Sequence, residues 1–154
     1  MSAEKPTVLF LCADNSVRSQ LAEALLRHHC GDRYDCCSAG LAPKPVHPMV
    51  ETALREIGIE PNALAPKPIR PFLGHRGVRH AIILRTPDET EAPRIFPFAT
   101  NTVRWEISDP TSDAGSDSPH DDLAAMRRTR DEIDRRLTSW LTSREADAHR
   151  PSAA

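Results

Sequence analysis

One short stretch near the N-terminus limits the possible folds of this chain more than any other. Residues Thr7 to Leu11 form an apolar, partly β-branched run, which predicts a buried strand. Soon afterwards, apolar residues recur at the spacing of a helix that begins near Arg18; they are Val17, Leu21, Ala24 and Leu25. The eight residues from Cys12 to Ser19 therefore form a strand-to-helix turn.

This turn is predicted to bind an oxyanion. Backbone N–H groups at the start of a helix have no intrahelical partners and carry the positive end of the helix dipole. We expect them to surround an anion. The predicted oxyanion-binding residues are Ala13, Asp14, Asn15, Ser16, Val17, Arg18 and Ser19.

Two residues of the turn suggest chemistry as well as binding. Cys12 would face the same N–H groups, so we expect its pKa to be lowered and its thiolate to act as a nucleophile. The planar guanidinium of Arg18 can hold two oxygens of a tetrahedral oxyanion. Cys-x5-Arg alone occurs often by chance, and a buried structural cysteine is the competing interpretation. The flanking strand and helix favour the site.

The rest of the chain alternates predicted strands and helices. Further strands are expected at Tyr34–Ser38, His80–Leu84 and Thr102–Ile107, and helices at about 18–30, 48–57 and 120–142. The proline-rich segment from Pro61 to Pro71 predicts an extended connection. The fold class is therefore α/β, with a four-stranded, mostly parallel sheet, helices on both faces and the Cys12 turn at the carboxyl edge of the strands.

Composition excludes several classes of function. The 154 residues suit one domain, with a core from about 6 to 143 and a polar tail over 144–154. A net charge of −2 shows no excess of positive charge that would favour binding to nucleic acid or to an anionic membrane. No signal-peptide pattern, spanning run or zinc-type histidine spacing is present, so we expect a cytoplasmic protein without a metal site. Four cysteines, two of them adjacent, fit a reducing compartment.

The stretch from Val8 to Glu23 resembles the opening of the low-molecular-weight protein tyrosine phosphatase superfamily. Later landmarks follow in the same order, namely Ser38-Ala39-Gly40, Val46-His47-Pro48, Ile57-Gly58-Ile59, Asp109-Pro110 and Arg127 to Ile133. Gln20 after Arg18-Ser19, and Thr111-Ser112 after Asp109-Pro110, are similar to the arsenate reductase branch. The tyrosine phosphatases usually carry proline and tyrosines at these places.

The resemblance implies a third catalytic residue. In this family the aspartate of Asp-Pro protonates the departing oxygen, which gives that role to Asp109. Without the resemblance, Asp109 would be taken as a turn residue before proline.

The chain departs from the thioredoxin-coupled reductases, which pass oxidation from the nucleophile to two further cysteines. Arg85 and Ala92 stand where those cysteines would be. The resemblance then implies that an external thiol, mycothiol or glutathione, acts as co-substrate and that a redoxin completes the cycle. Cys30, Cys36 and Cys37 are better explained as small buried residues than as internal replacements.

Three functions remain open at this stage. The first is arsenate reduction through Cys12, and the second is phosphomonoester hydrolysis through the same residues, with Phe72, Phe96 and Phe98 as possible contributors to an aromatic slot. The third is an oxyanion-binding module with little turnover. No bound cofactor is expected, and the protein should be a monomer or a weak dimer.

Overall fold

The structure, a computed structural model, describes residues 5–61, 64–74, 77–90, 92–111 and 119–148. Its four strands are β1 (Thr7–Cys12), β2 (Asp35–Gly40), β3 (Val78–Leu84) and β4 (Ala99–Trp105). Its α-helices are α1 (Arg18–Cys30), α2 (Pro48–Arg55) and α3 (Pro119–Ala148), and a 3-10 helix covers Arg70–Phe72.

The strands form one sheet in the order β2-β1-β3-β4, and every neighbouring pair is parallel. The predicted α/β class and four-stranded sheet are therefore confirmed. Cys12 ends β1 opposite Gly40, the last residue of β2. The turn that follows Cys12 thus lies at the carboxyl edge of the sheet, where ligands bind in folds of this kind.

The two faces of the sheet are covered differently. Val8 and Phe10 pack into a core shared with all three α-helices, whereas Leu9 and Leu11 point to the opposite face. That second core includes Phe72 of the 3-10 helix together with Phe96 from an irregular segment. In the described residues the α-helices thus lie against one face, and the 3-10 helix contributes to the cover of the other.

Several element boundaries differ from the predictions. β2 ends two residues later than expected, and β4 ends at Trp105 rather than Ile107. α3 continues to Ala148, so residues 144–148 of the predicted polar tail are helical, while 149–154 lie outside the described residues. α2 ends at Arg55, and a turn leads to Gly58, whose φ is +79°. No helix in the described part of the chain is both long and apolar enough to span a bilayer.

Gly40 allows β2 to pass close behind the Cys12 turn. A Cβ atom at this position would lie 2.7 Å from the backbone nitrogen of Asn15 and 2.9 Å from the carbonyl carbon of Asp14. These are backbone atoms, which cannot rotate aside as a flexible side chain can. A side chain here would therefore force the turn to move.

We predict that Gly40→Ala displaces the turn, lowers the free energy of unfolding by about 1–3 kcal/mol and weakens phosphate binding. Chemical denaturation and phosphate titration measure the two effects. Gly77→Ala is the matched control, because nothing lies within 4 Å of a Cβ added there. Its cost should stay within about 0.5 kcal/mol. Equal effects of the two substitutions would contradict the close packing at Gly40.

Candidate active site

The turn after Cys12 is held from outside through its carbonyl groups. The carbonyls of Ala13, Asp14 and Ser16 accept hydrogen bonds from backbone N–H groups of residues 42, 44 and 47, at 2.9–3.1 Å. These bonds fix the backbone of the strand-to-helix turn that the sequence predicted. Its binding of an oxyanion stays a prediction.

Asn15 occupies the centre of the turn with a φ of +54°. Its Oδ1 accepts from the backbone N–H of Lys67 at 2.8 Å and from Nε2 of Gln20 at 3.0 Å. Its Nδ2 donates to Oγ of Ser19 at 2.7 Å. The side chain is fully buried, and these bonds hold a left-handed backbone that asparagine tolerates better than most residues.

Donors surround the sulfur of Cys12 as predicted. Oγ of Ser19 lies 2.8 Å from Sγ, and the N–H groups of Asn15 and Ser19 also bond to the sulfur. Oγ of Ser19 accepts from Asn15, and either the Ser19 hydroxyl or the Cys12 thiol can be the donor in the contact between Oγ and Sγ. Val17 is buried at the start of α1 and gives that helix no side-chain cap.

The expected lowering of the Cys12 pKa is wrong for this arrangement. Burial raises the pKa of the thiol, and this effect outweighs the lowering by Ser19, by Arg18 and by the two backbone N–H groups. Cys12 is only 1% exposed, so water does little to stabilise a thiolate. The donors are in place, but their combined effect does not offset desolvation.

A carboxylate, that of Glu89, binds the guanidinium of Arg18. Nη1 of Arg18 donates to Oε1 of Glu89 at 2.5 Å, and Nη2 donates to Oε2 at 2.9 Å. Nη1 also donates to the carbonyl of Ile107 at 3.0 Å. The two-pronged geometry expected for an oxyanion is present, but here a side chain of the protein fills it.

The carboxylate of Asp109 lies close to the guanidinium of Arg18. Its Oδ2 is 3.9 Å from Nη2 of Arg18, and its Oδ1 accepts from the backbone N–H and the hydroxyl of Thr111 at 2.9 and 2.7 Å. Its side chain is 22% exposed, as an acid that acts on a bound oxyanion requires. The structure thus brings together Cys12, Arg18 and Asp109.

Asp14 and Ser16 depart from the expected binding pattern. Oδ1 of Asp14 accepts from the backbone N–H of Ser16 at 3.1 Å and from its hydroxyl at 2.7 Å. Ser16 therefore directs its N–H to a carboxylate within the loop, and not to an anion in the cup. Asp14 supports the shape of the turn at the cost of one predicted donor.

A cavity of about 480 Å³ opens over the turn. We call it the mouth; its lining is polar and is formed by Ala13, Asp14, Arg18, Lys44, Thr86, Asp88, Glu89, Thr90, Ser108 and Asp109. A larger cleft of about 810 Å³ lies at the amino ends of the strands, far from the turn along the sheet. No residue of the Cys12–Ser19 turn lines that cleft, whereas Ala13, Asp14 and Arg18 line the mouth, so the mouth is the better candidate for the chemistry.

The remaining cysteines do not lie beside the nucleophile. All four cysteines are in the described residues, and none forms a disulfide. Cys36 and Cys37 pair with Val8 and Leu9, three or more residues before Cys12, and they face opposite cores. Cys30 is at the far end of α1. Among the described residues, no group of three His, Cys, Asp or Glu side chains is arranged to hold a metal ion.

Sequence reasoning missed Glu89, which contacts Arg18 from 71 residues away in the chain. No pattern identified it, since it is one of several acids in an irregular segment. It also missed the role of Lys67 in fixing Asn15, which depends on a backbone N–H group. Every residue except proline has a backbone N–H group, so the identity of residue 67 does not reveal this bond.

Comparison with known proteins identifies the family of this chain. A family model described as low molecular weight phosphotyrosine protein phosphatase matches residues 7–150. An arsenate reductase of Bacillus licheniformis is 30% identical over 141 residues, which cover 92% of this chain and 99% of that protein. One from Bacillus anthracis is 32% identical, over 92% of this chain and 98% of that protein.

Solved structures share the fold. The thioredoxin-dependent arsenate reductase of Corynebacterium glutamicum superposes with a TM-score of 0.67 at 28% identity, over 96% of this chain and 65% of that one. An arsenate reductase in a phosphate-binding state gives 0.73 at 23% identity, over 90% and 98%. The resemblance found in the sequence is thereby confirmed, and the chain belongs to the low molecular weight phosphotyrosine protein phosphatase family.

Proposed function

We propose that this chain is an arsenate reductase in which Cys12 forms a thiol–arsenate adduct that an external thiol resolves. The observation that carries the proposal is the convergence of Cys12, Arg18 and Asp109 on one oxyanion-sized turn, in a chain whose relatives at 30–32% identity are named arsenate reductases. The absence of a second cysteine beside Cys12 supports the external thiol.

The first step forms the adduct. The thiol of Cys12 passes its proton to an oxygen of the arsenate dianion, and the resulting thiolate attacks arsenic. A sulfur–arsenic bond forms, and one oxygen leaves as water after Asp109 gives it a second proton. Arg18 and the N–H groups of the turn hold the other oxygens and stabilise their charge. Arsenic remains As(V) during this step, since no electrons have been transferred.

External thiols complete the reaction. A small thiolate, mycothiol or glutathione, displaces the Cys12 sulfur from arsenic and restores the free enzyme thiol. A second thiol, from a redoxin, then attacks the sulfur of that small-molecule adduct. A disulfide forms, and the electron pair of the sulfur–arsenic bond stays on arsenic, which leaves as arsenite. Two thiols thus supply the two electrons, and the protein is expected to act in the cytoplasm.

Phosphomonoester hydrolysis is the second candidate, because the family model is that of a phosphatase and the same three residues would serve it. The mouth argues against phosphotyrosine as the preferred substrate. None of its described lining residues is aromatic, and Phe72 and Phe96 are buried in the second core. We therefore expect aryl phosphate turnover to be weak beside arsenate reduction.

The central prediction concerns Cys12. Purified protein with arsenate, mycothiol or glutathione, and the matching redoxin should consume NADPH, and Cys12→Ser should reduce this rate to background while still binding phosphate. Mass spectrometry after arsenate and each thiol should show what is attached to Cys12 in the parent. Failure with every thiol system, thioredoxin included, would defeat the proposal. Binding without turnover in the parent would instead indicate an oxyanion-binding module.

A separate prediction tests the role of Asp109 as the proton donor. Asp109→Asn keeps the shape of the side chain but removes the proton donor, so kcat for arsenate should fall by about 10²- to 10³-fold with a smaller change in KM. Steady-state kinetics measure this split, and thermal unfolding checks that the variant folds. An Asp109→Asn protein with the turnover of the parent would remove Asp109 from the mechanism.

A further inference from the structure

The guanidinium of Arg18 is fully engaged in this structure. Glu89 accepts from both terminal nitrogens, the arrangement that an oxyanion would adopt with two of its oxygens. Arg18 is 2% exposed and the side chain of Glu89 is 21% exposed, so the pair is largely shielded from water. A pair in this setting is not the loosely solvated contact typical of a protein surface.

We propose that Glu89 is a tethered competitor for the oxyanion site, which substrate must displace from Arg18 before it can reach Cys12. Glu89 is thereby a specificity-determining residue. The inference rests on the proposed function, since it assumes that the turn binds oxyanions.

Glu89 is held in place by its own segment. Its Oε1 accepts from the backbone N–H of Thr86 at 3.0 Å and from the hydroxyl of Thr86 at 3.1 Å. Burial raises the pKa of Glu89, but hydrogen bonds from Arg18 and Thr86 outweigh it, and the pKa lies below its usual range. The carboxylate therefore remains ionised and able to pair with Arg18 at neutral pH.

Arg85 anchors that segment. Its buried guanidinium donates to the carbonyl of Glu89 at 2.5 Å and to that of Ala92 at 3.2 Å. Further bonds reach the carbonyls of Thr86, Pro87 and Pro93 at 3.1–3.4 Å. The carbonyls that follow Arg85 in the chain thus bind its guanidinium. These bonds hold Glu89 close to Arg18, which gives its carboxylate a high effective concentration there.

The sulfur is covered while this pair is formed. Arg18 and Glu89 line the mouth, but Cys12 does not, and Cys12 is 1% exposed. A tetrahedral dianion brings more charge to Arg18 than one carboxylate does, and the N–H groups of the turn can also bind it. Dianionic oxyanions should therefore displace Glu89 more readily than monoanions or small carboxylates.

Replacement of Glu89 by its uncharged isostere tests the proposal. If the carboxylate occupies Arg18 for about 90% of the time, Glu89→Gln should tighten phosphate binding by about tenfold. Calorimetric titration with inorganic phosphate measures the affinity. Alkylation of Cys12 by iodoacetamide, followed on its peptide by mass spectrometry, should be faster in the variant without phosphate. The ratio of phosphate affinity to acetate affinity should be smaller in Glu89→Gln than in the parent.

Asp88→Asn is the matched control. Asp88 belongs to the same segment, lines the same mouth and carries the same charge, but Arg18 donates to Glu89 and not to it. Its replacement should change phosphate affinity less than about threefold. Thr86→Val is a second variant; it keeps the charge of Glu89 but removes one of its anchors, and should tighten binding by a smaller factor than Glu89→Gln.

The outcomes separate this inference from the proposed function. If the parent binds phosphate and Glu89→Gln binds no more tightly, or if Asp88→Asn has the same effect, the competitor role is overturned and the oxyanion site stands. If Glu89→Gln does not fold, Thr86→Val takes its place as the test. A phosphate affinity of Thr86→Val equal to that of the parent would then overturn the competitor role. If neither the parent nor any variant binds phosphate, the turn is not an oxyanion site and both proposals fail.

Discussion

The geometry of the site depends on the hydrogen bonds of one buried amide, that of Asn15. The backbone of Asn15 is left-handed, and its N–H bonds to the sulfur of Cys12. Asparagine tolerates that conformation and also carries both an acceptor and a donor on its side chain. Its oxygen accepts from Gln20 and Lys67, and its nitrogen donates to Ser19. A buried polar group left without a partner costs about 1–3 kcal/mol, so these bonds together fix one conformation.

The same network decides how the thiol can ionise. The Ser19 hydroxyl, which accepts from Asn15, can donate to the sulfur once Cys12 is a thiolate, and two backbone N–H groups also bond to that sulfur. These dipoles do not outweigh the burial of Cys12, so the site relies on net positive charge. Arg18 supplies that charge and lowers the pKa of Cys12 without reversing the effect of burial, and Glu89 binds the same guanidinium. Reactivity of Cys12 is therefore coupled to the partner that Arg18 holds.

Local patterns were enough to predict most of the fold. α1 begins and ends where its apolar spacing and Gly31 place it, and the strand that leads into Cys12 was found from its composition alone. β2 extends beyond its predicted end through Ala39 and Gly40, where pairing with β1 decides the boundary. α3 extends through mostly polar residues after 142, where apolar periodicity gives no signal. Glu89 was unpredictable for a different reason, since an ion pair between residues far apart in the chain follows from topology.

The register of the sheet also determines where the second thiol must come from. Cys12 lies opposite Gly40, whereas Cys37 lies opposite Leu9, three residues earlier in β1. At about 3.3 Å per residue, that offset places the two positions roughly 10 Å apart along the strands, before the spacing between strands is added. A disulfide needs Cα atoms within about 7 Å, so Cys37 would reach Cys12 only if β1 and β2 came apart. With Arg85 where a relay cysteine would stand, the external thiol of the proposed reaction would approach an adduct on Cys12 through the mouth, which Arg18 and Asp109 line.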